Sequence, residues 1–94
     1  MSIGLLRIDF HLRGCRSLKE KRQRLKGIRE RFGRAHNVAV SESDHHDVLQ
    51  RAEYVFIAAA ASADVVERAL MDIERNVQMS VDAELIAVHR EMLD

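Results

Sequence analysis

Residues 13–22 read Arg13-Gly14-Cys15-Arg16-Ser17-Leu18-Lys19-Glu20-Lys21-Arg22. Ser17 followed three residues later by Glu20 is a capping box: the serine oxygen accepts from the Glu20 amide, and the glutamate reaches back to the Ser17 amide. A helix therefore starts at Leu18. At about 100° per residue, Leu18, Leu25, Ile28, Phe32 and Ala35 share an arc of about 100°, which is a core-facing stripe. Lys21 falls inside that arc. From the first turn it is expected to snorkel its ammonium past the edge of a sheet. Gly33 is a stop signal, and the helix is expected to end within 34–36.

The same stretch opens the basic part of the chain. From Arg13 to Arg34 there are ten Lys and Arg and two acids, a net +8; the other residues carry five Lys and Arg and thirteen acids, a net −8. The neutral total hides that split.

Upstream, residues 3–12 alternate: Leu6, Ile8, Phe10 and Leu12 one way, Leu5, Arg7, Asp9 and His11 the other. Period two with one apolar face reads as a half-buried strand. Downstream, residues 37–43 alternate again, with Val38 and Val40 on one side. Residues 43–47 form a polar loop, and Val48 to Arg51 read as a helical turn or an irregular lead-in. Residues 52–60 are apolar in both parities, Tyr54, Phe56, Ala58 and Ala60 against Val55, Ile57 and Ala59, as in a central strand covered on both faces. Ser62 caps a second helix with Asp64 in its first turn. Val66, Ala69, Leu70, Ile73 and Val77 carry the 3.6 period to about Met79. Residues 84–93 read as a last strand, with Ile86, Val88 and Met92 on one face and Leu85 and Ala87 on the other; the pattern also tolerates a helix.

The order βαββαβ gives an α+β, ferredoxin-like domain. Two right-handed crossovers and one hairpin link produce a four-stranded antiparallel sheet, its first and third strands central, with both helices on one face. An α+β domain with a helical C-terminal segment is the second fold. Ninety-four residues make a single domain, 1–94, which buries about 60–65% of its unfolded surface. No apolar run approaches the roughly 20 residues of a membrane span. The N-terminus lacks the marks of a signal peptide. A single Cys15 forms no internal disulfide and fits a reducing cytoplasm.

The run Arg16-Ser17-Leu18-Lys19-Glu20-Lys21-Arg22, with Asn37-Val38, Glu42-x-Asp44-His45-x-Asp47 and Gln50-Arg51-Ala52, resembles the small bacterial family called domain of unknown function 503 (DUF503), to which the YlxP-like proteins belong. The resemblance covers nearly the whole chain. It implies a ferredoxin-like fold, a cytoplasmic protein, and in many bacteria a gene near those for a translation initiation factor and a ribosome-binding factor. It supplies no catalytic residues. Leu49 stands where members often carry Trp.

Lys19, Arg22, Lys26 and Arg29 line one flank of the first helix over roughly 15 Å, and Arg13 and Arg16 add charge at its start. Such a ridge can track phosphates, or else serve as a solvated face balancing the acidic second helix or an acidic neighbour. The third strand offers Tyr54 and Phe56 in one parity and no RNP1 run, so base stacking on the sheet is not expected. Whichever parity meets the helices, the other leaves apolar residues on the open face, which suits a homodimer. Asp44-His45-His46-Asp47 lacks the spacing of a metal site and reads as a turn. Glu42 and Asp44 could form a carboxylate pair but have no nucleophile beside them. Cys15, between Arg13 and Arg16, reads as filler. No cofactor and no small-molecule substrate are expected. These features point to a non-enzymatic cytoplasmic binding protein that contacts structured or ribosomal RNA through Arg13, Arg16, Lys19, Arg22, Lys26 and Arg29. The alternative is a homo-oligomeric interaction or assembly subunit with no nucleic-acid role, and an enzyme is the least supported class.

Overall fold

The structure, a computed structural model, describes residues 1–93. The elements run β1 (Ser2–His11), α1 (Leu18–Phe32), β2 (Val38–Asp44), β3 (Arg51–Ala60), α2 (Ala63–Ser80) and β4 (Glu84–Met92). The strands form one sheet in the order β2-β3-β1-β4, every neighbouring pair antiparallel. Both helices cover one face, and β1 and β3 are central. This is the ferredoxin-like arrangement, with a strand rather than a helix at 84–92.

Register assigns the two faces. Leu6 pairs with Phe56, Ile8 with Tyr54 and Phe10 with Ala52, all turned to the helices and buried. Val38, Val40 and Glu42 on β2 join that face through Ala58, Phe56 and Tyr54. From α1 the core takes Leu25, Ile28 and Phe32, and from α2 Val66, Leu70, Ile73 and Val77. The only Tyr and all three Phe pack here. Phe10 meets Tyr54 edge-to-face at 6.0 Å, and Phe32 meets Phe56 at 5.6 Å. Each such pair contributes about 0.5–1.5 kcal/mol beyond area burial.

Gly14, at φ 69°, turns the chain from β1 into α1, a backbone conformation that costs glycine least. Ser17 then caps the helix, its Oγ accepting from the Glu20 amide at 3.0 Å. The Glu20 carboxylate accepts from the Arg16 amide at 3.3 Å, one residue before the expected Ser17 amide. The helix stops at Phe32, with Gly33 as C-cap donating to the Arg29 carbonyl at 2.8 Å. It is shorter than the apolar stripe predicts, and Ala35 lies in the loop that follows it.

Three side chains depart from the expected pattern. Leu18, the first residue of α1, is 42% exposed. Along β4 the faces are exchanged at one end. A register shift between Asp9 and Phe10 places Leu85 opposite Phe10, against the core, and leaves Ile86 45% exposed. One extra residue in a bulge inverts the parity beyond it. The third departure, at Lys21, shapes the functional site.

Candidate functional site

Lys21 does not snorkel. Its side chain is 5% exposed and runs inward beneath the loop between β2 and β3. There the ammonium donates to the His45 carbonyl at 2.8 Å and the Val48 carbonyl at 3.0 Å, and lies 3.1 Å from Glu42 Oε2. Two of its three donors are matched by carbonyls, and the carboxylate supplies the counter-charge. The Glu42 contact is a close ion pair rather than a well-directed hydrogen bond, and Oε2 accepts from no other group. Glu42 is therefore a counter-charge to Lys21. It does not pair with Asp44, from which a register shift in β2 separates it.

The same loop uses its remaining polar groups locally. Asp44 Oδ1 accepts the His45 amide at 2.7 Å, supporting His45 at φ 65°. His46 Nε2 lies 3.0 Å from the Glu42 carbonyl. Among the described residues no three His, Cys, Asp or Glu side chains converge as a metal site would require. Cys15 is buried, its thiol 3.5 Å from the Ser17 carbonyl.

Arg24, on the other flank of α1, is also engaged within the fold. It donates to the Asp82 carbonyl at 2.8 Å, to the Arg13 carbonyl at 3.0 Å and to Glu20 Oε2 at 3.3 Å. It ties the helix to the turn after α2 and to the segment before α1. The acids of α2 look elsewhere: Asp72 to Arg75 at 3.9 Å and Glu74 to Arg90 at 3.6 Å. They do not neutralise α1.

What is left is an exposed basic ridge. Arg13, Arg16, Lys19, Arg22, Lys26 and Arg29 are all exposed, and none forms an ion pair with the described residues. Arg31 adds charge in the last turn of the helix and Arg34 just past its end. On the β2 side the ridge overhangs a cleft of about 380 Å³, lined by Arg22, Leu25, Lys26, Arg29, Glu30, Glu42 and Tyr54. It adjoins a second hollow of about 400 Å³ that reaches His46 and Asp47. Arg22 and Arg29 border both. Burial, and then the nearby Glu42 carboxylate, push the Tyr54 hydroxyl above its ordinary pKa, while Arg29 pulls it down. Tyr54, Glu42 and Leu25 belong to the cleft although a reading of charge alone passes them over. Their signal in the sequence is parity: Glu42 and Tyr54 sit on the helix-facing side of adjacent strands.

The sequence profile described as "Protein of unknown function (DUF503)" matches residues 3–90. The chain belongs to the DUF503 family. No curated protein matches it. Among solved structures this DUF503 chain is similar to a protein named YJCS, with a TM-score of 0.61 and 9% identity over 99% of this chain and all of that one. It is also similar to a putative chlorite dismutase, TA0507, with a TM-score of 0.56 and 9% identity over 98% of this chain and 44% of that one. At that identity the likeness concerns the fold. Among the described residues of the DUF503 chain, no helix is long and apolar enough to cross a membrane.

Proposed function

We propose that this protein is a non-enzymatic cytoplasmic binding protein that contacts structured RNA, ribosomal RNA included, through the exposed flank of α1. One observation carries the reading. The fold uses Lys21 and Arg24 internally and leaves Arg13, Arg16, Lys19, Arg22, Lys26 and Arg29 exposed, with no ion-pair partner among the described residues. A row of unneutralised cations held by a rigid helix suits phosphates, because each one met releases condensed counterions. The groups that would be candidates for chemistry serve the fold instead, Glu42 with Lys21 and Cys15 against Ser17. All the aromatic side chains face the helices, so the contact is to backbone phosphate rather than to stacked bases.

The test is an electrophoretic shift with ribosomal RNA, comparing the native chain with a variant in which Lys19, Arg22, Lys26 and Arg29 are all changed to Glu. Retardation is expected for the native chain and lost in the variant. If those four residues each meet one phosphate, log K falls with log salt at a slope of about −3. Equal retardation of the two proteins, or a slope near zero, overturns the proposal.

A further inference from the structure

The cleft beside α1 has a floor as well as a basic rim. Arg22, Lys26 and Arg29 stand at its mouth, all exposed, with the exposed Glu30 beside them. Leu25 and Tyr54 line it from the core, and Glu42 lines it from β2. Tyr54 is 5% exposed, yet its hydroxyl makes no hydrogen bond with the described residues. The hydroxyl is not sealed off either, and the exposure it keeps opens on the cleft. A buried tyrosine normally gives its hydroxyl a partner. Glu42 does not serve as one, because Lys21 answers its charge at 3.1 Å. Burial, and then Glu42, keep the phenol protonated and so a donor, while Arg29 is near enough to act on it from the rim. Rim and floor therefore share one space.

We propose that this cleft binds a phosphate monoester, clamped by Arg22, Lys26 and Arg29 at the mouth and receiving the Tyr54 hydroxyl from the floor. Charge favours that ligand. With Lys21 and Glu42 cancelling, three cations less one carboxylate, Glu30, leave the cleft at a net +2. A phosphate monoester carries close to two negative charges at neutral pH, whereas an internal phosphate of a nucleic acid carries one. Valence favours it too. A monoester presents three free oxygens, enough for two guanidinium forks and the phenol. Size leaves room for the alcohol half. At about 380 Å³ the cleft lies within the range of small-molecule pockets, about 300–1,000 Å³, and Leu25 offers an apolar wall for a sugar. A free sugar phosphate and the phosphorylated end of an RNA strand present the same group. The site shares three cations with the RNA contact but goes beyond it, since Tyr54 is needed here and has no part there.

Calorimetric titration of the full chain with ribose 5-phosphate tests the site. One saturable site is expected at up to millimolar ligand, with ribose and dimethyl phosphate each weaker by about tenfold or more. Tyr54→Phe removes only the phenol oxygen. That oxygen has no partner in the free protein, so the variant should melt no lower than the native chain. It should bind ribose 5-phosphate about 10–100-fold more weakly and retard ribosomal RNA as the native chain does, which separates this site from the RNA contact. Arg29→Gln, at an exposed position, should give a comparable loss. A short oligoribonucleotide with a 5′-phosphate, compared with its 5′-hydroxyl form and with ribose 5-phosphate, assigns the source. Tightest binding of the phosphorylated strand marks an RNA end, tightest binding of ribose 5-phosphate marks a small sugar phosphate, and both support the site. Ribose 5-phosphate that binds no better than ribose overturns the proposal. So does equal binding of dimethyl phosphate, or a folded Tyr54→Phe variant with native affinity.

Discussion

Replacing Lys21 with Met leaves Glu42 facing a shielded site with no cation, and leaves the His45 and Val48 carbonyls without their donor. Breaking a buried pair from one side costs about 3–5 kcal/mol. Glu42 keeps some access to water, so the low end, roughly 3 kcal/mol, is the expected loss in a urea titration of Lys21→Met. Adding Glu42→Leu removes the orphaned charge and should return at least half of that loss. Tyr54 offers a second readout at this scale, because it is the only tyrosine. Its folded pKa lies above the ordinary value of 10.0, chiefly through burial. The neutral phenol is thus favoured in the fold. Its contribution is complete below about pH 10 and is lost as pH rises through the folded pKa. Absorbance near 295 nm should titrate above the midpoint of the same tyrosine in denaturant; equal midpoints would contradict the burial. The burial of Tyr54 is foreshadowed by its parity in β3, but the role of Lys21 is not legible in the sequence. Lys21 falls on the apolar stripe, and nothing local to α1 shows that a loop from 45–48 will close over it.

Packing between elements turns on Gly4. A β-carbon there would lie 2.7 Å from Val66 Cγ1 and 2.9 Å from Leu70 Cδ1, both in the buried stripe of α2. The helix sits against β1 because that atom is absent. Gly4→Ala should therefore push α2 outward and cost about 1–3 kcal/mol of overpacking, more than the roughly 0.5–1 kcal/mol that alanine returns in backbone entropy. Gly27 is the opposite case. It lies inside α1 with open space where a β-carbon would stand, so Gly27→Ala should stabilise by about 0.5–1 kcal/mol. Thermal melts of the two variants should move in opposite directions. Most elements are legible from local pattern: the Ser17 and Ser62 caps, the alternation of β1 and the two-sided β3 place themselves. The facing of β4 is not. Its bulge near Ile86 adds one residue without changing composition, so the alternation reads correctly on one side of it and inverted on the other. The early end of α1 is hidden likewise, because Ala35 keeps the apolar period after the helix has stopped.

Across the whole molecule the charge has a direction. The helix bearing the +8 segment lies over the β2 side of the sheet, and α2, with its acids, lies toward β4. A segregated field of this kind orients the protein before contact and raises the rate of encounter with a polyanion. The sequence shows that segregation but not which cations remain free; folding assigns Lys21 and Arg24 to internal partners. The topology also ties the chain's two ends together, since Gly4 pairs with Met92. The β2–β3 hairpin closes between Asp44 and Glu53, nine residues apart, whereas the β1–β4 rung spans 88. Loop-closure entropy alone separates the two by about 2 kcal/mol. In time, then, the hairpin and the lysine beneath its loop can set early, and the outer strand comes last. On a growing chain β1 emerges first and must wait, one edge unpaired, until its final neighbour has been made. For that interval the centre of the finished sheet is an open edge, and the nascent protein is most exposed to mispairing at the strand that will later be best protected.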